Sequence, residues 1–407
     1  MVLAVLADRA QGTFRALLAL QPAVAWPVTP CGMALAVWAA RRYFPNAQGS
    51  GIPQAIAARQ LADPVARGRL VSLRIAAGKT LLTLLGLLCG ASTGREGPTV
   101  QIGASLMFAI GRLSPRRQPG LILAGAAAGV AAAFNTPLAG IVFGIEEMSR
   151  SYEAQASGLI IGAIIAAGLT SLALLGSYTY FGTTPEVLGR VTDWLAVPAC
   201  GVAGGLMGAL FSRILILFAR GLPGRVGRLA KAWPVPVAML CGLGIVALDH
   251  LSPVSVYGTG YLEAQALLDG SAGPSLFFFP CKLLATALSA VSGLPGGIFS
   301  PSLAIGAGIG ADISLLLPGT PVGAVVLLGM VAYLTGVMQA PITAFVIVAE
   351  LTDNHGMLLP LMATAVIAEA TARQICREGI YHELARGFRG PVAAVPARAA
   401  PASAAKG

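Results

Sequence analysis

Charge is scarce in this sequence. Asp, Glu, Lys and Arg make up 11% of its 407 residues, against roughly 25% in soluble domains, and that scarcity excludes an ordinary water-soluble fold. Aromatic residues are few as well, at 6%. The three histidines, His250, His355 and His382, are scattered, and no H-E-x-x-H pair exists to hold a catalytic zinc. A membrane-embedded hydrolase would need such a metal set or a nucleophile constellation, so no enzyme is expected, and no metal or other cofactor. The six cysteines (Cys31, Cys89, Cys200, Cys241, Cys281, Cys376) lack paired spacing and sit in apolar surroundings; they read as buried free thiols. The opening MVLAVLADRA is too short, and lacks the basic start, for a cleavable signal peptide. No compact basic domain is visible either. The net charge of +10 therefore points to cytoplasmic membrane edges and not to nucleic acid.

What fills the chain instead is apolar. Hydrophobic residues are 56% of the total, mean hydropathy is +0.77, and apolar stretches recur at 75–91, 120–145, 157–176, 195–218, 235–248, 275–291 and 320–349. At about 20 residues per crossing this is an integral membrane protein of many helices, with the lipid bilayer as its solvent. Its 51 glycines and 27 prolines predict that several helices break inside the membrane. Broken backbone survives at that depth only where protein or an aqueous cavity satisfies the freed polar groups. Such breaks are the first place to look for a transported substrate.

The sequence also resembles itself. PTVQIGAS at 98–105 matches PSLAIGAG at 301–308, an offset of 203; FNTPLAGIVFGIEE at 134–147 matches MQAPITAFVIVAEL at 338–351, an offset of 204; and GSGIPQA at 49–55 matches GTGYLEA at 258–264, an offset of 209. Three segments in one order predict two homologous halves. Arg59, Arg67, Arg69 and Arg74 follow Ser50, whereas Glu263 and Asp269 follow Thr259, with no base before Lys282. Basic loops stay in the cytoplasm, so the two matching loops face opposite sides and the repeat is inverted. In transporters that arrangement gathers broken helices at the midplane with their N-termini around the substrate.

Those N-termini are marked by GSGIP (49–53), GREGP (94–98) and GGIFSP (296–301), each directly ahead of an apolar run. Pro98 and Pro301 are expected at first helical positions. A helix start carries unpaired N–H groups and about half a positive charge, so converging starts make an anion site. None of these loops has the length or the lysine of a phosphate-cradling loop, and a small anion fits better than a nucleotide.

GSGIP, GREGPTVQIG, FNTPLAGIVFGIEE and GGIFSPSLAIGAG, in this order and spacing and followed by TAFVIVAELTDNHGMLLPL and GIYHEL, resemble the CLC family of chloride channels and chloride/proton antiporters. The resemblance covers roughly residues 1–388. It implies an all-α membrane domain of two inverted halves, about 1–190 and 191–388, with tilted and broken helices. It also implies a homodimer whose subunits each have an anion pathway. Residues 389–407, a Pro/Ala-rich stretch, are expected to be disordered, with no regulatory cytoplasmic module. Most relatives have a further helix ahead of the region corresponding to residues 1–18, so Met1 is expected either inside the first long helix or at the start of a shortened sequence.

The resemblance also implies roles. Glu96 is the external gate and proton carrier: the N–H groups and dipole that attract chloride attract its carboxylate too, and protonation releases it. Its plainer alternative is a carboxylate stabilising its own helix. Ser50 would coordinate the central anion through its hydroxyl, or serve only as an N-cap. Ile298 and Phe299 would bind the anion through backbone N–H groups, their side chains mattering less. Tyr381 would complete the central site with its hydroxyl, unless it is an interfacial anchor. Glu147 would be the internal proton-transfer residue. The repeat supports that choice, since Glu146 has a mate in Glu350 while Glu147 faces Leu351, and an unmatched ionisable group in a membrane protein is a functional candidate. Alternatively both glutamates mark the water boundary. Ile56 stands where some antiporter relatives carry an acid, which leaves the inner proton route open. The expected function is therefore exchange of chloride for protons in a bacterial-type inner (plasma) membrane. A passive voltage- or pH-gated chloride channel is the alternative, and a fluoride/proton antiporter the nearest competitor among transporters, although the serine of GSGIP speaks against it.

Overall fold

Glycine and proline decide where helices begin and end in this chain, whose computed structural model describes residues 2–148, 158–175, 181–182 and 184–388. The Pro/Ala-rich stretch at 389–407 lies outside the described residues. The first nine helices are α1 (Val2–Leu20), α2 (Ala25–Tyr43), α3 (Ile52–Gln60), α4 (Pro64–Gly68), α5 (Leu73–Leu88), α6 (Glu96–Ile110), α7 (Gln118–Phe134), α8 (Pro137–Glu146) and α9 (Gly158–Leu175). They are followed by α10 (Ala196–Arg220), α11 (Gly224–Ala232), α12 (Pro234–Leu251), α13 (Tyr261–Leu268), α14 (Phe278–Val291) and α15 (Phe299–Ser314). The remaining helices among the described residues are α16 (Val322–Met338), α17 (Pro341–Thr352), α18 (Leu358–Ile375) and α19 (Ile380–Arg386). Among the described residues there is no β-strand. Among those residues five helical segments are long and apolar enough to cross a membrane: Pro22–Tyr43, Pro64–Leu88, Val191–Arg220, Pro234–Leu251 and His355–Arg386. Helices such as α3 and α13, at about 1.5 Å per residue, are too short to cross and must end inside the protein.

Two apolar stretches that read as continuous, 120–145 and 320–349, are each two helices. Asn135 (φ 59°) closes α7 and Gln339 (φ 55°) closes α16 in the left-handed conformation, and Pro137 and Pro341 then open α8 and α17. A left-handed cap followed by proline is a full stop for a helix, and here the two stops are 204 residues apart. Pro98 and Pro301 are the third residues of α6 and α15, not the first, because those helices begin two residues earlier, after the N-caps Arg95 and Ile298. Proline is tolerated there for the same reason as at the first position, since the first four N–H groups have no acceptor within the helix.

The offset seen in the letters recurs in the contacts. Glu146, ending α8, accepts from the N–H groups of Ile342 (3.1 Å) and Thr343 (2.6 Å) at the start of α17. Glu350, in α17, accepts from Leu138 (3.0 Å) and Ala139 (2.7 Å) at the start of α8. Each carboxylate thus caps the other half's helix, as expected of elements related by a two-fold axis. Buried Lys79 donates to the carbonyls of Ala47 (2.7 Å) and Gly49 (2.6 Å), and its mate Lys282 donates to those of Val256 (2.8 Å) and Gly258 (2.9 Å). Where α6 crosses α7, Gly103 meets Gly125; where α15 crosses α16, Gly306 meets Gly329. Without side chains the backbones approach closely. Helix α16 is buried from Gly323 to Met338, which explains why it is apolar on all faces.

Glu146→Ala and Glu350→Ala should each strip two amides of their acceptor and lower stability by about 1–2 kcal/mol, read as matched drops in melting temperature in detergent. A drop in only one of them would contradict the two-fold relation.

Candidate functional site

The loops ahead of α3, α6 and α15 are tied to one another by their backbones. Gly94 and Gly297 exchange N–H···O bonds of 2.7 Å in both directions, Gly49 N–H donates to Leu294 O at 3.2 Å, and Gly296 N–H donates to Gly49 O at 3.0 Å. Glycine is required at Gly51, which has φ +100° and the Gly97 carbonyl 3.0 Å from where a Cβ would stand. Gly97 in turn abuts the Ser50 backbone. Three helix N-termini therefore meet in one place, as the punctuation of the sequence predicts.

Glu96 is the first residue of α6 and is 1% exposed. Its carboxylate does not cap its own helix. Instead Oε1 accepts from the Ser300 hydroxyl at 2.6 Å and Oε2 from the Ser300 N–H at 3.4 Å, so it lies over the start of α15. The Arg95 guanidinium is 4.0 Å away and reaches the Ala4 carbonyl (2.7 Å) and Asp8 (2.5 Å). Ser300 was not among the predicted site residues. Its signal was available, because Ser300 is the repeat mate of Gly97 and a hydroxyl at a helix start.

Beside this carboxylate stand four polar donors with no partner among the described residues. The hydroxyls of Ser50 and Tyr381 are buried and make no hydrogen bond of ordinary geometry, although the two lie next to each other. The N–H groups of Ile298 and Phe299, opening α15, likewise have no acceptor. The N-cap of α3 is Gly51, so the N-cap alternative for Ser50 does not hold. Nor is Tyr381 an interfacial anchor, being 0% exposed. Its ring stacks on Phe299 (centroids 6.0 Å apart, planes at 13°), and Phe299 also contacts Phe134 and Phe143 at 5.9 and 6.1 Å. The Phe299 side chain thus matters more than its sequence position suggested, since it holds the tyrosine. A cavity of about 650 Å³ leads up to Ser50, Ile298 and Tyr381. Four of its charged lining residues are basic (Arg41, Arg220, Lys231, Arg386) and one is acidic, Glu383, a balance that concentrates anions. Glu383 is itself paired, with Arg220 (2.6 Å) and with Arg386.

Glu147 follows α8 and is 2% exposed. While Glu146 turns to α17, Glu147 turns to His382, whose Nδ1 is 3.1 Å from Oε1. It is therefore neither a cap nor a water-boundary residue. Sequence reading passed over His382 because the pair spans 235 residues and has no local pattern. Ile56 is fully buried and offers no ionisable group. Of the six cysteines, all free, five are buried as expected, whereas Cys31 on α2 is exposed. No cluster of three or more His, Cys, Asp or Glu suited to a metal occurs among the described residues.

The family model described as voltage gated chloride channel matches residues 32–373. The H(+)/Cl(-) exchange transporter ClcA of Yersinia pestis bv. Antiqua (strain Angola) is 33% identical over 362 residues, covering 84% of this chain and 73% of that protein. Among solved structures, a slow cyanobacterial Cl-/H+ antiporter superposes with a TM-score of 0.77 at 28% identity, covering 96% of each chain. A CLC-type fluoride/proton antiporter superposes with a TM-score of 0.76 at 21% identity, covering 94% of each, a likeness of fold alone.

Proposed function

The chain belongs to the voltage-gated chloride channel (CLC) family, and on that footing we propose that it is a secondary active transporter exchanging chloride for protons, with Glu96 as its gate. The observation that carries this reading is the set of unpartnered donors, Ser50 Oγ, Tyr381 Oη and the N–H groups of Ile298 and Phe299, beside a carboxylate buried at a helix N-terminus. Donors without acceptors are costly in a dry interior, and a chloride ion supplies the missing acceptor to all four. Ionised, Glu96 takes the outermost anion position, against Ser300 and the start of α15. Protonated, it loses the attraction of those N–H groups and withdraws, and chloride passes while the proton is carried.

Glu147 takes up protons from the inner side by a way separate from the basic vestibule that chloride uses. The paired halves, about 1–190 and 191–388, suit a homodimer in a bacterial-type inner membrane. Apolar side chains such as Leu138, Ile342, Leu358 and Val366 remain exposed on α8, α17 and α18, available to a second copy or to lipid. The relatives named above as H(+)/Cl(-) and Cl-/H+ exchangers favour an exchanger over a passive channel.

The test is a chloride gradient imposed across vesicles holding the purified protein. An exchanger drives protons uphill; a channel moves none. As a further expected outcome, Ser50→Ala and Tyr381→Phe each remove one hydroxyl donor and should weaken chloride binding by about 1–2 kcal/mol, five- to thirtyfold, in a calorimetric chloride titration. Unchanged affinity in both would remove these hydroxyls from the site.

A further inference from the structure

Helix α19 has two faces, and the chloride pathway uses one. Tyr381, Glu383, Leu384 and Arg386 line the vestibule, whereas His382 and Ala385 turn into protein. His382 is 8% exposed and its Nδ1 is 3.1 Å from Oε1 of Glu147, itself 2% exposed. Among the described residues the other ring nitrogen, Nε2, has no hydrogen-bond partner. The other charged and titratable groups on the packed elements are engaged elsewhere or lie apart. On α3, Arg59 donates to the Met148 carbonyl at 2.8 Å. Glu146 caps α17. On α10, Arg220 holds Glu383, which Arg386 also holds, and Arg213 is the remaining base. Helix α16 brings only the buried phenol of Tyr333. The Tyr381 phenol and the Glu146 carboxylate also lie near Glu147, but among the described residues the His382 imidazole is the titratable group within hydrogen-bond distance of its carboxylate.

We propose that His382 is the relay that hands protons from the inner water to Glu147. The inference rests on the exchange reading and deepens it, because that reading needs a proton supply to Glu147 that avoids the chloride vestibule. A neutral ring can accept on one nitrogen while donating from the other. A proton from water binds Nε2; the Nδ1–H bond breaks as an O–H bond forms on Glu147 Oε1. The carboxyl is then neutral, and the ring is neutral with its proton on Nε2. Exchange with water and rotation of the ring return the proton to Nδ1. Passing the proton onward to Glu96 restores the carboxylate for the next cycle.

A histidine that merely held Glu147 in position would serve as well if replaced by a neutral hydrogen-bond donor, and this separates the two roles. His382→Asn retains an N–H donor and cannot pass a proton through. In vesicles it is expected to carry chloride at about the wild-type rate while proton flux falls roughly a hundredfold or more, the scale of a lost proton-transfer group. In His382→Ala, imidazole added to the inner buffer should restore proton flux and leave chloride flux alone. The inference is overturned if His382→Asn keeps the wild-type proton-to-chloride ratio, if both its fluxes fall together, or if imidazole changes nothing in His382→Ala. Wild-type protein that moves no protons would overturn the exchange reading itself, and this inference with it; a coupled wild type with a coupled His382→Asn overturns the relay alone.

Discussion

Glu96→Gln is expected to carry chloride down its gradient with no proton movement at all. The substitution keeps the size of the side chain and an oxygen for the Ser300 hydroxyl, now at 2.6 Å from Oε1, but it removes the charge permanently. A hydrogen bond to a charged group is worth about 1.5–3 kcal/mol against about 1 for a neutral one, and the helix dipole adds up to about 2 in buried geometries. Losing roughly 2 kcal/mol of hold makes the side chain about thirtyfold easier to displace. The variant should therefore behave as the protonated gate does at all times, and the dependence of chloride flux on external pH that Glu96 confers should vanish. Chloride efflux read by electrode, with a pH electrode in the same chamber, checks both. Persistent proton pumping would show that the carrier is another group.

Glu147→Gln should also abolish proton movement, for a different reason. Its carboxylate is buried 3.1 Å from His382 and takes no part in capping α17, so its removal leaves the loops around Ser50 and Ile298 as they were. Chloride turnover should stay within about twofold of wild type, while proton flux falls by the hundredfold or more typical of a missing acid–base group. Unlike Glu96→Gln, this variant should keep the external-pH dependence of chloride flux, because the gate is intact. The same change at Glu146 should lower stability and leave the proton-to-chloride ratio alone. If Glu146→Gln uncouples and Glu147→Gln does not, the two roles are the reverse of those assigned.

The repeat made much of this readable in the letters. Glu146 and Glu350 stood in register, and in the fold they cap each other's half; Glu147 had no mate, and it is the one turned to a titratable partner. Punctuation likewise placed the three helix starts that meet at Glu96, because left-handed glycines and early prolines act locally and leave a local pattern. What was hidden depended on distance or on which helix faces the protein covers. The Glu147 to His382 pair joins segments 235 residues apart, brought together where α19 packs on α3 and Arg59 of α3 holds the Met148 carbonyl beside Glu147. The breaks at Asn135 and Gln339 vanished into apolar runs, since hydropathy does not register a left-handed residue. Cys31 looked buried because apolar neighbours in sequence do not say which face of a helix the protein covers. Ser300 was visible only by asking what the repeat puts opposite Gly97.

The central claim is that the Glu96 carboxylate and a chloride ion compete for one set of N–H and O–H donors, and a chloride titration of purified protein tests it most directly. By calorimetry at neutral pH, Glu96→Ala is expected to bind chloride at least several-fold more tightly than wild type, because the rival anion is gone and the donors at Ser300 and the start of α15 are released to the ion. Equal or weaker binding by the variant would mean that carboxylate and halide occupy different places, and would contradict the account.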